Sequence, residues 1–331
     1  MSRRAVLWIA FAVVHAGVAW LGFLMPNQPM GDVHNVYDPW SRMALDGSAI
    51  VGITEPWVYP QLALLPMIAA QGLAPLAGYY LAWALVVTAV DALAFAVLVG
   101  RAHAVGRVTA AWFWLSFIAL LGPIGLYRLD GFTTALAVLG CLWLVGRPWL
   151  ASILLAVATW MKVWPAALLA AAVIALRRRG ALVGGAVIVS ALTLSGVVLA
   201  GGAANAFGFI GDQTSRGLQV EAPVSTPYLW GTFFDPRTFW VYYDRDMLTF
   251  QVTGTEVDTV IALMTPLLLV AMAGIAALGV IAVVRGARYA TLFPPLSLAL
   301  VLGFIVFNKV GSPQYLCWLV PSLVVGLVLD R

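Results

Sequence analysis

Long apolar runs recur along the whole chain, and they constrain its fold more than any other feature. Ala5–Met25 and Leu76–Gly100 are two of them. About 20 apolar residues in a helix cross the hydrocarbon core of a bilayer, where only helices and closed barrels satisfy the backbone. The apolar residues follow one another without alternating, which excludes a strand barrel. The sequence therefore predicts an all-α, polytopic membrane protein.

Composition supports a single membrane domain over residues 1–331. Hydrophobic residues make up 63% of the 331 residues and charged residues only 10%, a balance that no water-soluble domain has. The net charge of +4 is too small to indicate nucleic-acid binding and is explained by membrane topology. Cys141 and Cys317 both lie inside apolar runs, so neither a disulfide nor a metal site is expected.

Basic residues predict how the chain is oriented in the plasma membrane. Arg3 and Arg4 precede the first run, and Arg101 and Arg107 follow the second, so these segments should be cytoplasmic. The predicted crossings are Ala5–Met25, Leu76–Gly100, Val108–Leu126, Gly131–Val145, Leu182–Ala200, Val257–Val284, Leu292–Phe307 and Tyr315–Leu329. Together with a helical hairpin they give about ten membrane-embedded helices, with both termini in the cytoplasm.

Three stretches depart from simple crossings. Leu62–Leu73 is too short to span and should form an interfacial helix in the first outer loop. Trp149–Leu176 has arginines at both ends and a proline at 165, which predicts a hairpin of two short helices with Lys162 at its outer tip. A longer polar and aromatic outer loop is predicted near 201–256.

Polar clusters converge on the predicted outer face, although the rest of the chain is poor in charge. They are the loop around Asp32, the pair Arg128 and Asp130, the tip with Lys162, the run Arg216–Glu221 and the run Asn308–Tyr315. Each has a structural alternative: a helix cap, a local ion pair, a snorkelling side chain or a helix start. Five clusters on one side are harder to explain in this way, and they favour a functional site.

The residue types in these clusters favour one kind of chemistry. Asp32 is a carboxylate at a membrane boundary, and several cations and aromatic rings accompany it. The sequence has no phosphate-cradling glycine loop, no nucleophile triad and no metal-ligand spacing. Such a set suits transfer of a group from a phosphate-linked lipid to a hydroxyl, with the carboxylate accepting the proton and cations stabilising the departing phosphate.

Some polar residues keep two interpretations. The aromatic rings in the outer loops can pack on sugar faces or form the aromatic belt of a membrane protein. Asp91 lies in the middle of a span, where a carboxylate is either functional or hydrogen-bonded between helices, and it is left unassigned. Among the histidines, only His34, two positions after Asp32, is placed in the site.

The order of these motifs resembles a known family. The motifs are Asp32-Val33 with Tyr37 and Trp40, Trp57-Val58-Tyr59-Pro60, Lys162-Val163-Trp164-Pro165, Arg216-Gly217-Leu218-Gln219-Val220-Glu221 and Asn308-Lys309-Val310 with Ser312-Pro313-Gln314-Tyr315. In this order they resemble the GT-C membrane glycosyltransferases, and most closely glycosyltransferase family 87, the polyprenyl-phosphate-mannose-dependent alpha-mannosyltransferases. Tyr59-Pro60-Gln61 departs from the Tyr-Pro-Pro of that family.

The resemblance implies an activity and a set of roles. It implies an inverting transfer of a hexose, with mannose the expected sugar, from a polyprenyl-phosphate sugar to a glycolipid or lipoglycan hydroxyl outside the cell, with Asp32 as general base. The residues assigned to the donor phosphate are Lys162, Arg216, Lys309 and Arg128. The residues assigned to substrate binding are His34, Tyr37, Tyr59, Asp130, Gln219, Glu221 and Gln314. No cofactor is expected, and a divalent ion is left open.

Two other functions remain open from the sequence. A transporter or flippase of lipid-linked sugars also uses broken helices and buried charges, but the chain has no internal repeat. A non-catalytic assembly partner would tolerate replacement of Asp32. The expected partners are membrane lipid, a sugar donor and a lipid-linked acceptor, without nucleic acid.

Overall fold

The computed structural model describes residues 1–26, 29–214, 216–245 and 247–330, with the side chains of 212–214 excluded. Ser215, which precedes the Arg216 run, lies outside these residues. The chain is 74% helical, so the prediction of a helical membrane protein is confirmed in its main feature. One small antiparallel sheet is the exception to the predicted all-α class.

Helices follow one another along the chain with short connections. The α-helices of the described residues are α1 Arg3–Leu24, α2 Asp38–Asp46, α3 Leu64–Ala77, α4 Tyr79–Val99, α5 Val105–Leu121, α6 Pro123–Leu126, α7 Leu129–Trp143, α8 Pro148–Thr159, α9 Pro165–Ala175, α10 Arg179–Leu199, α11 Gly208–Thr214, α12 Thr226–Phe234, α13 Val257–Val284, α14 Tyr289–Val306 and α15 Val320–Leu329. The strands are β1 Trp240–Asp244 and β2 Thr249–Thr253. A π-helix covers Val33–Tyr37, and 3-10 turns cover Gln61–Ala63, Ala203–Asn205, Pro223–Ser225 and Pro313–Leu319.

Five of these helices are long and apolar enough to cross a membrane. They are α1, α4, α10, α13 and α14, with 18 to 28 residues each. The other apolar helical segments have 10 to 17 residues. At about 1.5 Å per residue, such segments are shorter than a hydrocarbon core of about 30 Å. The exact number of ten embedded helices therefore stays a prediction.

The helical hairpin predicted around Lys162 is confirmed. Helix α8 ends at Thr159 and α9 begins at Pro165, where the ring occupies a first-turn position that needs no backbone donor. The two helices pack against each other, and α8 also packs against α10 and α7. The hairpin thus carries Lys162 in the short connection at its tip.

The predicted outer loop near 201–256 is an ordered layer of short elements. Strands β1 and β2 pair in antiparallel register, with Trp240 opposite Thr253. The Val220 N–H donates to the Phe250 carbonyl at 3.0 Å, and the Val252 N–H donates to the Leu218 carbonyl at 2.9 Å. The run that begins at Arg216 is therefore attached to the free edge of β2. The aromatic and β-branched residues of 240–253 suit paired strands, and this explains the sheet.

The two ends of the helix bundle differ in composition. At one end the start of α1 meets the turn after α4, where Arg3, Arg4 and Arg101 share a cavity. At the other end, an added Cβ on Gly22 would contact the ring of Tyr127, which places the end of α1 beside the start of α7. The basic segments predicted to be cytoplasmic are thus separated from the polar clusters around Asp32.

A buried hydrogen bond explains the carboxylate in the second span. Asp91 on α4 lies 3.0 Å from His15 Nε2 on α1, and both side chains are almost fully buried. The other ring nitrogen of His15 lies 2.9 Å from the Phe11 carbonyl. Asp91 therefore joins two helices, as one of its two sequence-based interpretations expected.

Candidate active site

Asp32 lies between α1 and α2, directly before the π-helix Val33–Tyr37. Its carboxylate forms an ion pair with the guanidinium of Arg128, and the Asp32 and Arg128 side chains are 29% and 19% exposed. A guanidinium beside a carboxylate favours the charged form of that carboxylate. Asp32 is therefore charged, partly desolvated and still open to a substrate.

Tyr37 fixes the segment that carries Arg128. The Tyr37 side chain is buried, and its phenol oxygen accepts a hydrogen bond of 3.0 Å from the Leu129 N–H. That N–H belongs to the first turn of α7, where no helical carbonyl is available to it. Tyr37 was predicted to bind substrate, but the structure places it beneath the site as an anchor for the start of α7.

Asp130 is a buried carboxylate with both oxygens engaged. Its Oδ2 accepts a hydrogen bond from Lys162 Nζ at 2.6 Å, and its Oδ1 accepts one from Trp318 Nε1 at 2.5 Å. The Asp130 side chain is only 1% exposed. Asp130 was predicted to bind substrate, but here it positions Lys162 and compensates its charge.

Three aromatic rings surround the Lys162 ammonium. Nζ lies 5.7 Å from the ring centre of Tyr59, 5.5 Å from that of Tyr315 and 5.8 Å from that of Trp318. Each distance is within the range of a cation–π contact. Burial raises the pKa of the Tyr59 phenol, and the nearby Asp130 carboxylate adds to the shift, so this phenol stays protonated. Lys162 is thus held in one place by the Asp130 carboxylate and three aromatic rings.

The Arg216 run reaches the same cluster from the layer of short elements near 201–256. The Gln219 N–H donates to the Lys309 carbonyl at 3.0 Å, and the Gln219 side-chain oxygen accepts from the Gly311 N–H at 3.2 Å. Arg216 interacts electrostatically with Tyr59 and with Tyr315. Its Nε is buried and has no hydrogen-bond partner within the described residues. The guanidinium therefore faces the cluster with unused hydrogen-bonding capacity.

A cavity of about 260 Å³ opens beside this cluster. The sequence has two lysines, Lys162 and Lys309, and both line the cavity. Asn308 lies beside them, and most of the remaining wall is apolar or aromatic: Val58, Tyr59, Pro60, Val163, Trp164, Phe209, Ile210, Met264, Thr265, Leu268, Phe304, Phe307, Tyr315 and Trp318. Burial lowers the pKa of the Lys309 ammonium. The cavity therefore combines a mostly apolar and aromatic wall with two lysine side chains.

Asp32 does not line the cavity, but it is connected to it. Arg128 pairs with Asp32, and Asp130, two positions later, pairs with Lys162. The two ion pairs are thus held by the ends of one three-residue segment. The Arg128–Asp130 segment therefore links the Asp32 carboxylate to Lys162, which lines the cavity.

Three further residues were predicted to bind substrate, and the contacts that the structure gives them are with other residues than Asp130. His34 is exposed, and its ring nitrogen Nδ1 is hydrogen-bonded to the Tyr80 hydroxyl. The Gln314 side-chain oxygen is bound by the Ser312 hydroxyl. Glu221, the last residue of the Arg216 run, is exposed and lies within electrostatic reach of Tyr315. Their predicted roles stay predictions.

Trp318 is the site residue that the sequence did not predict. It lies in the 3-10 turn Pro313–Leu319, and its ring stacks on Tyr315 at 3.9 Å between centres. Residues three apart eclipse each other in a 3-10 helix, whereas the sequence predicted an uninterrupted span from Tyr315. The signal available was Pro313 together with two aromatic residues three positions apart.

No group of three metal-ligating side chains was found among the residues that the structure describes. The groups that the described site offers include the carboxylate of Asp32, the surrounding cations and the aromatic walls of the cavity.

Comparison with known proteins assigns the chain to a family. No curated protein and no solved structure matches the chain. The sequence model of glycosyltransferase family 87 matches residues 57–308, which is most of the chain. The match includes Arg128, Asp130, Lys162 and Arg216, whereas Asp32 precedes it and Lys309 directly follows it. With its helical membrane fold and this match, the chain belongs to glycosyltransferase family 87.

Proposed function

We propose that this glycosyltransferase moves a hexose, with mannose as the sugar, from a polyprenyl-phosphate donor to a hydroxyl of a glycolipid or lipoglycan. The observation that carries the proposal is the cavity that is lined by both lysines of the chain and otherwise mostly by apolar and aromatic residues. A polyprenyl phosphate has the same two parts, an anionic phosphate and a long hydrocarbon chain. A nucleotide-sugar donor would not need the apolar wall.

The cations suit a phosphate that gains charge as it leaves. Lys162 is held in place by Asp130 and three rings, so little reorganisation is needed when charge develops beside it. Arg216 brings a guanidinium with a buried, unpartnered Nε. Lys309 lies on the same cavity wall. We assign these three cations to the donor phosphate.

The chemical step uses Asp32 as the general base. The Asp32 carboxylate removes the proton from the acceptor hydroxyl, and the hydroxyl oxygen forms a bond to the anomeric carbon of the sugar. The bond between that carbon and the phosphate oxygen breaks, and its electron pair stays on the polyprenyl phosphate. The acceptor attacks from the face opposite the phosphate, so the anomeric configuration inverts.

Arg128 has a different role from the one predicted for it. It was assigned to the donor phosphate, but its guanidinium is engaged with Asp32. We propose that Arg128 orients the Asp32 carboxylate and keeps that carboxylate ionised until the acceptor hydroxyl arrives.

The proposed orientation places the reaction outside the plasma membrane. The basic segments lie at the bundle end opposite the Asp32 cluster, and positive residues favour the cytoplasmic side. Both termini are then cytoplasmic, and the acceptor reaches Asp32 from the extracytoplasmic side. Proteolytic mapping of the loop 235–245 in intact cells or spheroplasts tests this orientation directly.

A reconstituted transfer assay tests the activity. The purified protein in liposomes is given polyprenyl-phosphate mannose or a mannose nucleotide, each with a glycolipid acceptor that has free hydroxyls. We expect transfer from the polyprenyl donor only, with inverted configuration in the product, and loss of transfer in Lys162→Met. Transfer from the nucleotide, or retained configuration, would contradict the proposal. Movement of the donor across acceptor-free liposomes would instead indicate a flippase.

A further inference from the structure

A second polar cavity lies at the end of the bundle opposite Lys162. It has a volume of about 400 Å³, and we call it the basic notch. It is lined by Ser2, Arg3, Arg4, Arg101, Ala102 and His103. The first three residues start α1, and the last three form the turn after α4. The notch thus brings three arginines and a histidine together from two separate helices.

The positive charge of the basic notch is not compensated within the described chain. The ion pairs of the described residues involve none of its arginines. Arg107, which lies nearby in sequence, behaves differently: its guanidinium donates to the carbonyls of Val97 at 2.8 Å and Leu98 at 3.1 Å, at the end of α4. Arg107 is therefore used by the fold, whereas the arginines of the notch are available to an anion.

The basic notch lies at the depth of lipid headgroups. Helices α1 and α4 have 22 and 21 residues and are apolar enough to span a membrane. At about 1.5 Å per residue each is close to the thickness of the hydrocarbon core, about 30 Å. Arg3 starts α1 and Arg101 follows the end of α4, so both lie where the hydrocarbon core ends. The positive end of the α1 dipole adds to the attraction for an anion there.

An apolar stripe continues from the notch along α1. Val6, Ile9 and Val13 are 39%, 52% and 65% exposed, and their spacing places them on one face of the helix. A free phosphate would gain nothing from this stripe, whereas a lipid acyl chain can lie along it. The stripe therefore favours a phospholipid over a soluble anion.

We propose that the basic notch binds the phosphate of an anionic phospholipid, whose acyl chain lies along Val6, Ile9 and Val13. Guanidinium groups pair with phosphate oxygens through two parallel hydrogen bonds, and basic pockets between spanning helices are suited to anionic headgroups. A zwitterionic lipid carries its own cation, which the arginines repel. This site is separate from the donor cavity and does not depend on the proposed function.

Thermal unfolding in nanodiscs tests the proposal. The wild-type protein is compared in discs of phosphatidylcholine alone and in discs that contain phosphatidylglycerol. The test variant is Arg3→Gln, Arg4→Gln and Arg101→Gln combined. The control is Arg177→Gln, Arg178→Gln and Arg179→Gln combined, which removes the same charge from exposed residues outside the notch. A ligand that binds the folded state raises the melting temperature.

We expect phosphatidylglycerol to raise the melting temperature of the wild type and of the control, and not that of the notch variant. Native mass spectrometry should show one retained phosphatidylglycerol on the wild type and on the variant with three lysines in place of Arg3, Arg4 and Arg101. Equal responses of the two glutamine variants would overturn the proposal in favour of diffuse attraction. An equal rise caused by inorganic phosphate in detergent would replace the lipid with a soluble anion. If the notch variant fails to fold, native mass spectrometry of the wild type and of Arg101→Gln is the deciding measurement. Phosphatidylglycerol retained by the wild type and lost from Arg101→Gln supports the proposal, and equal retention overturns it.

Discussion

The guanidinium of Arg128 binds the carboxylate of Asp32, and it does so from the segment whose other end binds Lys162. Asp32 and Lys162 are far apart in sequence, on the first loop and on the tip of the helical hairpin. The Arg128–Asp130 segment, at the start of α7, forms an ion pair with each of them. This arrangement suggests that the base and the cation of the proposed reaction are positioned together.

Replacing Asp130 by Asn should destabilise the fold. The change leaves the Lys162 ammonium without its anionic partner in a buried place, since Asp130 is only 1% exposed. Removal of one member of a buried ion pair costs about 3–5 kcal/mol. We expect a lower melting temperature together with a higher KM for the polyprenyl donor.

The double variant Asp130→Asn with Lys162→Met provides the control for this prediction. It removes both charges, so much of the lost stability should return while transfer stays low. A double variant as unstable as Asp130→Asn alone would show that Asp130 acts on the fold without Lys162.

Replacing Arg128 by Gln should reduce turnover more than donor binding. The change frees the Asp32 carboxylate from its partner and leaves the cations of the cavity in place. Displacement of a catalytic group by about 1 Å can cost about 100-fold in rate. We expect a fall of this size in the kcat of Arg128→Gln. The kcat of Arg128→Lys should lie between those of Arg128→Gln and the wild type, because lysine keeps the charge but lacks the planar guanidinium.

Kinetics at saturating donor check the Arg128 prediction. A variant with unchanged kcat and a raised KM for the donor would return Arg128 to the phosphate-binding role expected from the sequence.

The activity should fall at alkaline pH because of Lys309. Burial lowers the pKa of this ammonium, so it loses its proton at a lower pH than an exposed lysine does. Below its pKa the group is charged and attracts the phosphate, and the attraction is lost as the pH rises through that value. Arginine stays protonated throughout this range.

Lys309→Arg should therefore move the alkaline limb of the kcat/KM profile to higher pH. The measurement is kcat/KM for the donor across neutral and alkaline pH for both proteins. Identical alkaline limbs would exclude Lys309 as the group that titrates.

Replacing Gly311 by Ala should loosen the Arg216 run. An added Cβ would collide with the backbone of Glu221 and Ala222, which a side-chain movement cannot relieve. Forced overpacking of this kind costs about 1–3 kcal/mol. We expect faster hydrogen exchange over residues 217–222 and weaker donor binding. Gly196→Ala is the matched control, because an added Cβ there meets nothing within 4 Å; equal effects of the two changes would contradict the prediction.

The helices were predictable because their signals are local. Apolar length predicted the spans such as α4, and Pro165 between two arginine-bounded ends predicted the hairpin of α8 and α9. The β-hairpin was missed because its strands are short and do not alternate: β1 is almost entirely exposed, and β2 buries two adjacent residues, one polar and one apolar. The number of crossings cannot be read from the short helices, since 10 to 17 residues fit both a span fragment and an interfacial helix.

The residues of the site could be predicted from the sequence, but the contacts between them could not. Asp32, Lys162 and Arg216 could be identified because charges are rare in this chain. Their pairing depends on long-range packing, such as the contact of Trp318 with Asp130 across 188 positions of sequence. For the same reason the sequence could not separate residues that face a substrate from residues, such as Tyr37, that support the site from below.

The most direct test of the account is the transfer rate of Asp32→Asn compared with that of Asp38→Asn. Asp38 is a carboxylate six positions later, at the start of α2, and it pairs with Arg42 at 2.7 Å and with Gln71 at 2.7 Å. General-base catalysis contributes about 100- to 10,000-fold in rate. We predict a loss of this size for Asp32→Asn, with the melting temperature and donor binding close to wild type, and activity near wild type for Asp38→Asn. Transfer that survives in Asp32→Asn would contradict the central claim.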